Sequence, residues 1–238
     1  MKIKFKYIFL VSIVFCTIAV SCKKDNYTAP SSTLQGRLVY KGDSLGVERD
    51  QVPYELYQYG FGKVGAIGSS FAQNGTYSQL LFDGDYKLII PNGQGPFMWK
   101  QTAAGAPDSL AISLKGNQTL DLEVTPYYMI RMPQITPAPA DTSVTATFTV
   151  EKIITDTING KNIDRVSLYI NKTQFVSGGD NIAATDLSGS AITDLNNISL
   201  KVKVPAIVPT QNYVFARIGV KIAGVEDMIF SPLQKVQF

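Results

Sequence analysis

The sequence predicts an all-β protein with two tandem β-sandwich domains behind an N-terminal export signal. Three observations support this prediction. Along most of the chain apolar residues alternate with polar ones, as in strands that bury one face. Asn-Gly and Asp-Gly pairs, which suit tight hairpins, separate the alternating segments. Beyond the first 21 residues, no long stretch has apolar residues at the helical period of about 3.6.

The first 21 residues have the organisation of a secretory signal peptide. Three lysines within the first six residues form a positive segment, and the uncharged residues 7–20 that follow are mostly apolar. This apolar run is too short for an ordinary transmembrane helix, which requires about 20 apolar residues. We therefore predict that residues 1–21 are removed on export.

The four residues at the predicted cleavage point, Ala19-Val20-Ser21-Cys22, resemble a bacterial lipobox. A small residue precedes the cut and a thiol follows it, although Ala19 stands where leucine is usual. The resemblance implies a lipoprotein signal peptide and lipidation of Cys22. Several acyl chains bind a bilayer far more firmly than one, so this anchor would suffice. The alternative is an ordinary secreted protein that is cut near Ala19.

Residues 22–33 are predicted to be the lipid anchor and a flexible linker, because they are polar and contain Pro30. Within them, Lys23-Lys24-Asp25 resembles the export tags that direct Bacteroidota lipoproteins to the cell surface. The alternative is that these charges only keep the linker solvated.

Cleavage before Cys22 changes the charge and the cysteine content. It removes Lys2, Lys4 and Lys6 from the 22 basic residues, and 22 minus 3 leaves 19 against 19 acidic residues. The mature chain is then neutral, without the lysine and arginine cluster that nucleic-acid binding requires. Of the 2 cysteines, Cys16 leaves with the signal and Cys22 would carry lipid, so we predict no disulfide.

Residues 34–125 are predicted to form the first β-sandwich. Alternating segments occur at 34–40, 52–57, 86–90 and 120–124, and turn residues occur at 41–43, 73–75, 82–84 and 91–93. Four motifs stand out: GRLV at 36–39, VPYEL at 52–56, NGTY at 74–77 and FDGDYKL at 82–88. They resemble a carboxypeptidase-regulatory-like domain, which implies a small prealbumin-like sandwich.

Residues 126–238 are predicted to form a second sandwich, which looks immunoglobulin- or fibronectin-like. Its alternating segments are 144–150, 166–170, 198–204 and 214–222, and Arg217 lies opposite the apolar face of the last one. The proline-containing stretch 131–140 is interpreted as stiff chain just after a domain boundary near Thr125. Residues 185–197 have weak periodicity and are predicted to be a long loop.

The lipobox, the first domain and the junction Pro126-Tyr127-Tyr128 together resemble a Bacteroidota surface lipoprotein family of unknown function. Its members are often encoded beside outer-membrane glycan importers of polysaccharide-utilisation systems. The resemblance implies an outer-membrane, cell-surface location, with a polysaccharide and importer proteins as partners.

The residue types present exclude several kinds of active site. The chain contains no histidine, which excludes histidine-based nucleophile systems and histidine-based metal sites. Asp83 and Asp85 flank Gly84 in a predicted hairpin and are too few for a calcium site, so they are interpreted as turn residues. We predict no catalytic residue, no metal and no cofactor.

Aromatic residues are the candidate ligand contacts, because their rings combine apolar area with a polar group and can stack on sugars. Phe97 and Trp99, the only tryptophan, follow a turn-rich loop. Tyr57, Tyr59 and Phe61 share one face of a predicted strand. For both groups the alternative is that the rings pack in the core.

Three Asp-hydroxyl-apolar triplets resemble the O-glycosylation sequon of exported Bacteroidota proteins, and the alternative is chance occurrence. Their hydroxyl residues are Ser44, Ser109 and Thr157.

These expectations favour a non-enzymatic outer-membrane lipoprotein that is an accessory glycan-binding component of a polysaccharide-uptake system. One alternative is a structural spacer or protein-interaction module on an importer complex. Another is a hydrolase with two carboxylates, which would need a cleft that holds two acids about 5–10 Å apart.

Overall fold

The computed structural model describes residues 28–60 and 65–237, and their regular structure is almost entirely β-strand. The predicted all-β class is therefore confirmed. In this part of the chain no helix is long and apolar enough to cross a membrane. The predicted signal peptide, Cys22 and Phe61 lie outside the described residues.

The first domain is built from short strands. They are β1 (Ser32–Tyr40), β2 (Asp43–Ser44), β3 (Pro53–Gln58), β4 (Ile67–Ser70), β5 (Thr76–Leu81), β6 (Gly84–Ile89), β7 (Phe97–Met98), β8 (Leu110–Leu114), β9 (Gln118–Thr119), β10 (Leu122–Glu123) and β11 (Thr125–Pro126).

β1 is the central strand of the first sheet. It pairs antiparallel with β5 and β2 and parallel with β9 and β10. The second sheet has the order β4-β3-β6-β8 and is antiparallel throughout, while β7 and β11 form a separate pair. Leu34 and Tyr77 of the first sheet pack in one hydrophobic cluster with Tyr54 and Leu88 of the second. The alternation seen in the sequence thus becomes a buried layer between two sheets.

Close backbone contacts explain why two positions in the sequence motifs are glycine. A Cβ atom on Gly36 would lie 1.9 Å from the carbonyl oxygen of Leu120, so only glycine allows this approach of the two backbones. Gly75 has a φ of 78°, and a Cβ there would lie 2.0 Å from the carbonyl oxygen of Leu45. The glycines of both motifs are therefore required by the fold.

The second domain has longer strands and two three-residue 3₁₀ turns. They are β12 (Tyr128–Ala138), the turn Pro139–Asp141, β13 (Ser143–Lys152), β14 (Ile163–Asn171), β15 (Ala183–Ser188), the turn Gly189–Ala191, β16 (Ile198–Lys203), β17 (Tyr213–Ile222), β18 (Ile229–Phe230) and β19 (Gln234–Gln237). One sheet has the order β12-β13-β16, and the other has β15-β14-β17 with β18 and β19 beyond β17.

Two expectations about this domain were wrong. The proline-containing stretch 131–140 is mostly strand β12, because β12 is an edge strand and its prolines need not donate to a second neighbour. A register shift between Arg131 and Gln134 also accommodates Pro133. The predicted loop at 185–197 begins instead within β15, which pairs with β14. β15 is only partly buried, so its apolar period is weak.

Strand β17 is buried on both faces, whereas the sequence suggested one polar face. Val214, Ala216 and Ile218 enter the core of the second domain. On the opposite face Arg217 is only 1% exposed, because loops of the first domain and Phe230 cover it. Both sandwiches lie within one compact unit that begins at Ser31.

Candidate functional site

The outer surface of the second sheet of the first domain carries the candidate site. We call it the tyrosine face and define it by Glu55, Tyr57, Tyr59, Lys87 and Ile89. In β3, Tyr54 and Leu56 are buried, so the intervening residues point outward. Tyr59 follows the end of β3 and is 60% exposed. The alternation that builds the core therefore also builds this surface.

Strand pairing fixes the spacing of the face. Tyr57 lies opposite Lys87, and Glu55 lies opposite Ile89, in the antiparallel pair of β3 with β6. Side chains directly opposite each other on one face of such a pair are neighbours. The face consequently places aromatic, cationic and anionic side chains at neighbouring positions on two paired strands.

A loop from the second half of the domain borders the tyrosine face. Together they enclose an open depression of about 320 Å³, whose loop side is formed by Thr102, Pro107, Asp108 and Ser109. The loop is held by backbone hydrogen bonds, including one from the Asp108 N–H to the Lys100 carbonyl oxygen at 2.9 Å. The depression thus has one wall of sheet and one of ordered loop.

Two contacts orient the groups on this face. The Tyr57 hydroxyl donates to Glu55 Oε2 at 2.6 Å, and this hydrogen bond raises the pKa of Tyr57 above its ordinary value. Lys87 Nζ lies 5.3 Å from the centroid of the Tyr59 ring, within the range of a cation–π contact. Lys87 has no salt bridge within 4.0 Å in the described chain.

This arrangement suits a flat ligand with one apolar surface and hydroxyl groups at its edge. The exposed Tyr59 ring offers area for stacking. Lys87 can donate hydrogen bonds and Glu55 can accept them, so both kinds of partner for a hydroxyl are present.

Trp99 and Phe97 are not part of this surface. Both are buried in the hydrophobic cluster, with Trp99 6% exposed, so neither ring can stack on a ligand in this conformation. The expectation of an exposed aromatic pair there is corrected: the turn-rich loop that precedes them folds back onto the core. Trp99 Nε1 donates to the Asp108 carbonyl oxygen at 2.7 Å and so holds the loop that borders the tyrosine face.

The three candidate O-glycosylation residues differ in their surroundings. Thr157 is exposed in a turn in which Asp156 accepts the backbone N–H groups of Ile158 and Asn159. Ser44 is exposed but accepts a hydrogen bond from Arg37. Ser109 is half-buried within the depression beside the tyrosine face, where a glycan would compete with any ligand of that face.

Three aspartates of the first domain, Asp50, Asp83 and Asp121, already have partners within the protein. Asp83 accepts hydrogen bonds from the Ser32 hydroxyl and the Gly116 N–H, which together lower its pKa. Asp50 and Asp121 border a depression of about 630 Å³, but each is already engaged in an ion pair with an arginine. Within the described residues there is no group of three or more potential metal-ligating side chains.

Sequence reasoning missed Lys87 and the loop that carries Asp108. Lys87 alternates with buried residues and thus has the pattern of any solvated strand residue. The loop lies 50 residues beyond Tyr57, and only pairing of β6 with both β3 and β8 brings the two together.

Comparisons with known proteins identify two family models in this chain. The "Protein of unknown function (DUF3823) N-terminal domain" matches residues 32–125, and the "Domain of unknown function (DUF3823_C)" matches residues 128–235. Among curated proteins none matches.

Solved structures match over most of the chain. A DUF3823 family protein from Parabacteroides merdae is 31% identical, with a TM-score of 0.75, and the match covers 88% of this chain and 100% of that one. A DUF3823 family protein from Bacteroides ovatus is 27% identical, with a TM-score of 0.74 and coverages of 87% and 99%. A Bacteroides uniformis protein described as a "putative carbohydrate binding protein" is 16% identical, with a TM-score of 0.67 and coverages of 88% and 100%.

Proposed function

The chain belongs to the DUF3823 family, and from this premise we propose that it is a non-enzymatic accessory protein that binds glycans through its tyrosine face. The observation that supports this most strongly is the exposed Tyr59 ring beside Lys87 and the Tyr57–Glu55 hydrogen bond. Sugar-binding sites need a stacking surface with polar groups at its edge, and this surface has both.

The fold is consistent with this function. The Bacteroides uniformis protein described as a "putative carbohydrate binding protein" shares the two-domain fold at 16% identity. At that identity the likeness concerns the fold alone, and function depends on the residues of the site. The proposal for this chain therefore stands on its own tyrosine face.

The location is the second part of the proposal. Lipid on Cys22 would hold the protein at the outer membrane, at the cell surface, beside an importer of polysaccharide fragments. The lipobox-like residues 19–22 and the relatives from Bacteroides and Parabacteroides support this assignment. In such a place a binding protein needs no catalytic group, since it would only raise the local concentration of glycan.

A polysaccharide screen tests the function. The chain from residue 28 onward, without signal and linker, is run by affinity electrophoresis through gels that contain neutral and acidic polysaccharides from plants and from host mucosa. We expect at least one polymer to retard wild type, and to retard Tyr59→Ala less. Tyr40→Ala is a control outside the face, because Tyr40 also lies near a lysine, Lys41, at 5.2 Å. Tyr40 packs partly against the core, so circular dichroism must first show that this variant is folded. If no polymer retards the wild type, the glycan-binding proposal is wrong.

A second candidate function is a rigid spacer or interaction module on an importer complex. It is favoured by the junction between the domains, where buried hydrogen bonds join the two sandwiches. Pulldown from native membranes distinguishes the two functions. A stoichiometric importer partner, together with no retardation by any polysaccharide, would favour the spacer.

A further inference from the structure

Two neighbouring depressions on the first domain meet at shared residues. The larger has a volume of about 630 Å³ and is lined by residues of β1, β3, β4 and β5. The smaller has a volume of about 240 Å³ and lies where the first domain contacts the second. Arg37 and Thr76 line both. The two depressions therefore adjoin and form one groove that runs to the domain junction.

The junction end of this groove is lined by two arginines. We call it the arginine recess and define it by Arg37, Ser44, Gln73, Arg217 and Ser231. All five side chains can donate hydrogen bonds, and strands β1, β2 and β17 and the segments that contain Gln73 and Ser231 supply them. Such a concave set of convergent polar groups is typical of a ligand site.

Arg217 has an unusual electrostatic environment. Its guanidinium donates to four carbonyl oxygens, which belong to Val47, Gln73, Val176 and Ser231. Among the described residues it forms no salt bridge within 4.0 Å. Its charge is compensated at close range by backbone dipoles and by the Phe230 ring, 4.4 Å from Cζ, and at longer range by the Glu48 carboxylate.

Burial lowers the pKa of Arg217 to about 9, so the side chain is still a cation at neutral pH. A buried cation without an anionic partner is costly, and an anion that reaches it is favoured by the low local dielectric. The recess therefore has room for a negative group beside a charge that the protein itself leaves unpaired.

Arg37 supplies the second positive charge. Its Nη1 donates to Ser44 Oγ at 2.9 Å, and its Nε lies 3.3 Å from Asp121 Oδ2. The side chain of Arg37 is half-exposed and lines both depressions, whereas Asp121 lines only the larger one. An anion bound at the recess would thus lie on the side of Arg37 that faces Arg217.

Gln73 adds a hydrogen-bond acceptor without a partner. Its Nε2 donates to the Gln174 carbonyl oxygen at 2.9 Å, whereas its buried Oε1 has no hydrogen-bond partner among the described residues. A buried acceptor of this kind costs free energy until a donor reaches it. A hydroxyl group next to the anion would supply that donor.

We propose that the arginine recess binds an acidic sugar, with its carboxylate or sulfate group between Arg37 and Arg217 and a neighbouring hydroxyl on Gln73. This is a different surface from the tyrosine face, and the inference does not depend on stacking there. Guanidinium groups form strong, charge-assisted hydrogen bonds with oxyanions such as carboxylate.

Calorimetry and NMR test the proposal with D-glucuronate, D-glucose and inorganic sulfate as probes at constant ionic strength. We expect glucuronate to bind wild type with an affinity at least tenfold above that of glucose. Its amide shift changes should be confined to residues near 37, 44–46, 73–76, 217 and 231–233. Arg37→Gln should weaken glucuronate binding at least tenfold. Arg165→Gln, the same chemical change at a half-exposed arginine outside the recess, should leave it unchanged.

The measured affinities and shift changes either support or overturn an acidic-sugar site at the arginine recess. Binding of glucuronate above sulfate, with loss in Arg37→Gln, supports an acidic-sugar site. Equal binding of sulfate and glucuronate overturns the sugar assignment and leaves an anion site. Shift changes scattered over the surface, or an affinity of Arg37→Gln for glucuronate equal to that of wild type, would overturn the assignment of binding to the arginine recess. The Tyr59→Ala variant should keep full glucuronate binding, which separates this test from that of the tyrosine face.

Discussion

The Nη2 atom of Arg217 donates a hydrogen bond to the carbonyl oxygen of Gln73 at 2.8 Å and so joins strand β17 of the second domain to a turn of the first. Nη1 of the same guanidinium reaches the Val47 carbonyl oxygen at 3.3 Å. Nearby, the buried Asp227 carboxylate accepts the Gly95 N–H, again between domains. Buried polar contacts of this kind fix geometry, because leaving any of them unpaired is costly. The tyrosine face is thereby held in one orientation relative to the second domain.

The first prediction concerns the junction. Arg217→Met should lower the free energy of unfolding by about 3–5 kcal/mol, because it removes hydrogen bonds to four buried carbonyl oxygens. Arg49→Gln removes an exposed interdomain ion pair with Asp180 and should cost less than about 1 kcal/mol. Urea denaturation measures both. Equal stabilities of the two variants would show that Arg217 does not hold the domains together.

The second prediction concerns pH. Burial raises the pKa of Asp227, with Glu226 and Glu48 adding to the rise and with the Gly95 hydrogen bond and Lys221 opposing it. The folded state then takes up a proton at higher pH than the unfolded state, so this group makes the protein more stable as pH falls towards the unfolded pKa. Asp227→Asn should therefore be more stable than wild type at pH 7.

The stability difference between Asp227→Asn and wild type should shrink as the pH falls through the raised pKa of Asp227 towards the ordinary carboxyl pKa of 3.8, because Asp227 then becomes neutral as well. Urea midpoints at a series of pH values provide the measurement. A variant that is less stable than wild type at pH 7 would mean that the carboxylate charge stabilises the junction.

The third prediction separates packing from ligand binding at Trp99. Trp99→Ala should cost about 3–5 kcal/mol of stability, as is typical when a buried aromatic ring is removed. Trp99→Phe keeps most of the ring but loses the hydrogen bond to Asp108, and should cost about 1 kcal/mol. If Trp99→Phe kept wild-type stability but abolished glycan binding, Trp99 would be a ligand contact rather than a packing residue of the core.

The fourth prediction concerns the amino terminus. Intact-mass measurement of the protein from its native host should give a chain that begins at Cys22 and carries the mass of several acyl chains. Any further mass in hexose-sized steps would support O-glycosylation, for which Ser44 and Thr157 are the exposed candidates. A mature chain that begins elsewhere, or an unmodified Cys22, would contradict the lipoprotein assignment.

Much of the fold could be predicted from period-two alternation. The segments around Leu34, Val144 and Val166 become β1, β13 and β14, because their apolar residues fill one face and the core requires one buried face. Alternation fails where tertiary contacts override it. Arg217 has the pattern of a solvated residue, but loops from the first domain, together with Phe230, cover its face and make it interior.

Less of the site could be predicted. The outward direction of Tyr57 and Tyr59 follows from the alternation of β3, so these two residues were accessible to sequence reasoning. The alternation does not say which aromatic residue of a loop turns inward, and Trp99 is buried because its loop folds onto the core. Lys87 and Gln73 are brought to their sites by contacts between residues far apart in the chain, and no local sequence pattern predicts such contacts.

The measurement that tests the central claim most directly is the affinity of wild type and of Tyr59→Ala for the polysaccharide that retards the wild type, by isothermal titration calorimetry. Loss of one stacking ring should weaken binding by about 1–2 kcal/mol, or roughly tenfold, while Tyr40→Ala binds as wild type does. Equal affinities of wild type and Tyr59→Ala, with both proteins folded, would contradict the assignment of glycan binding to the tyrosine face.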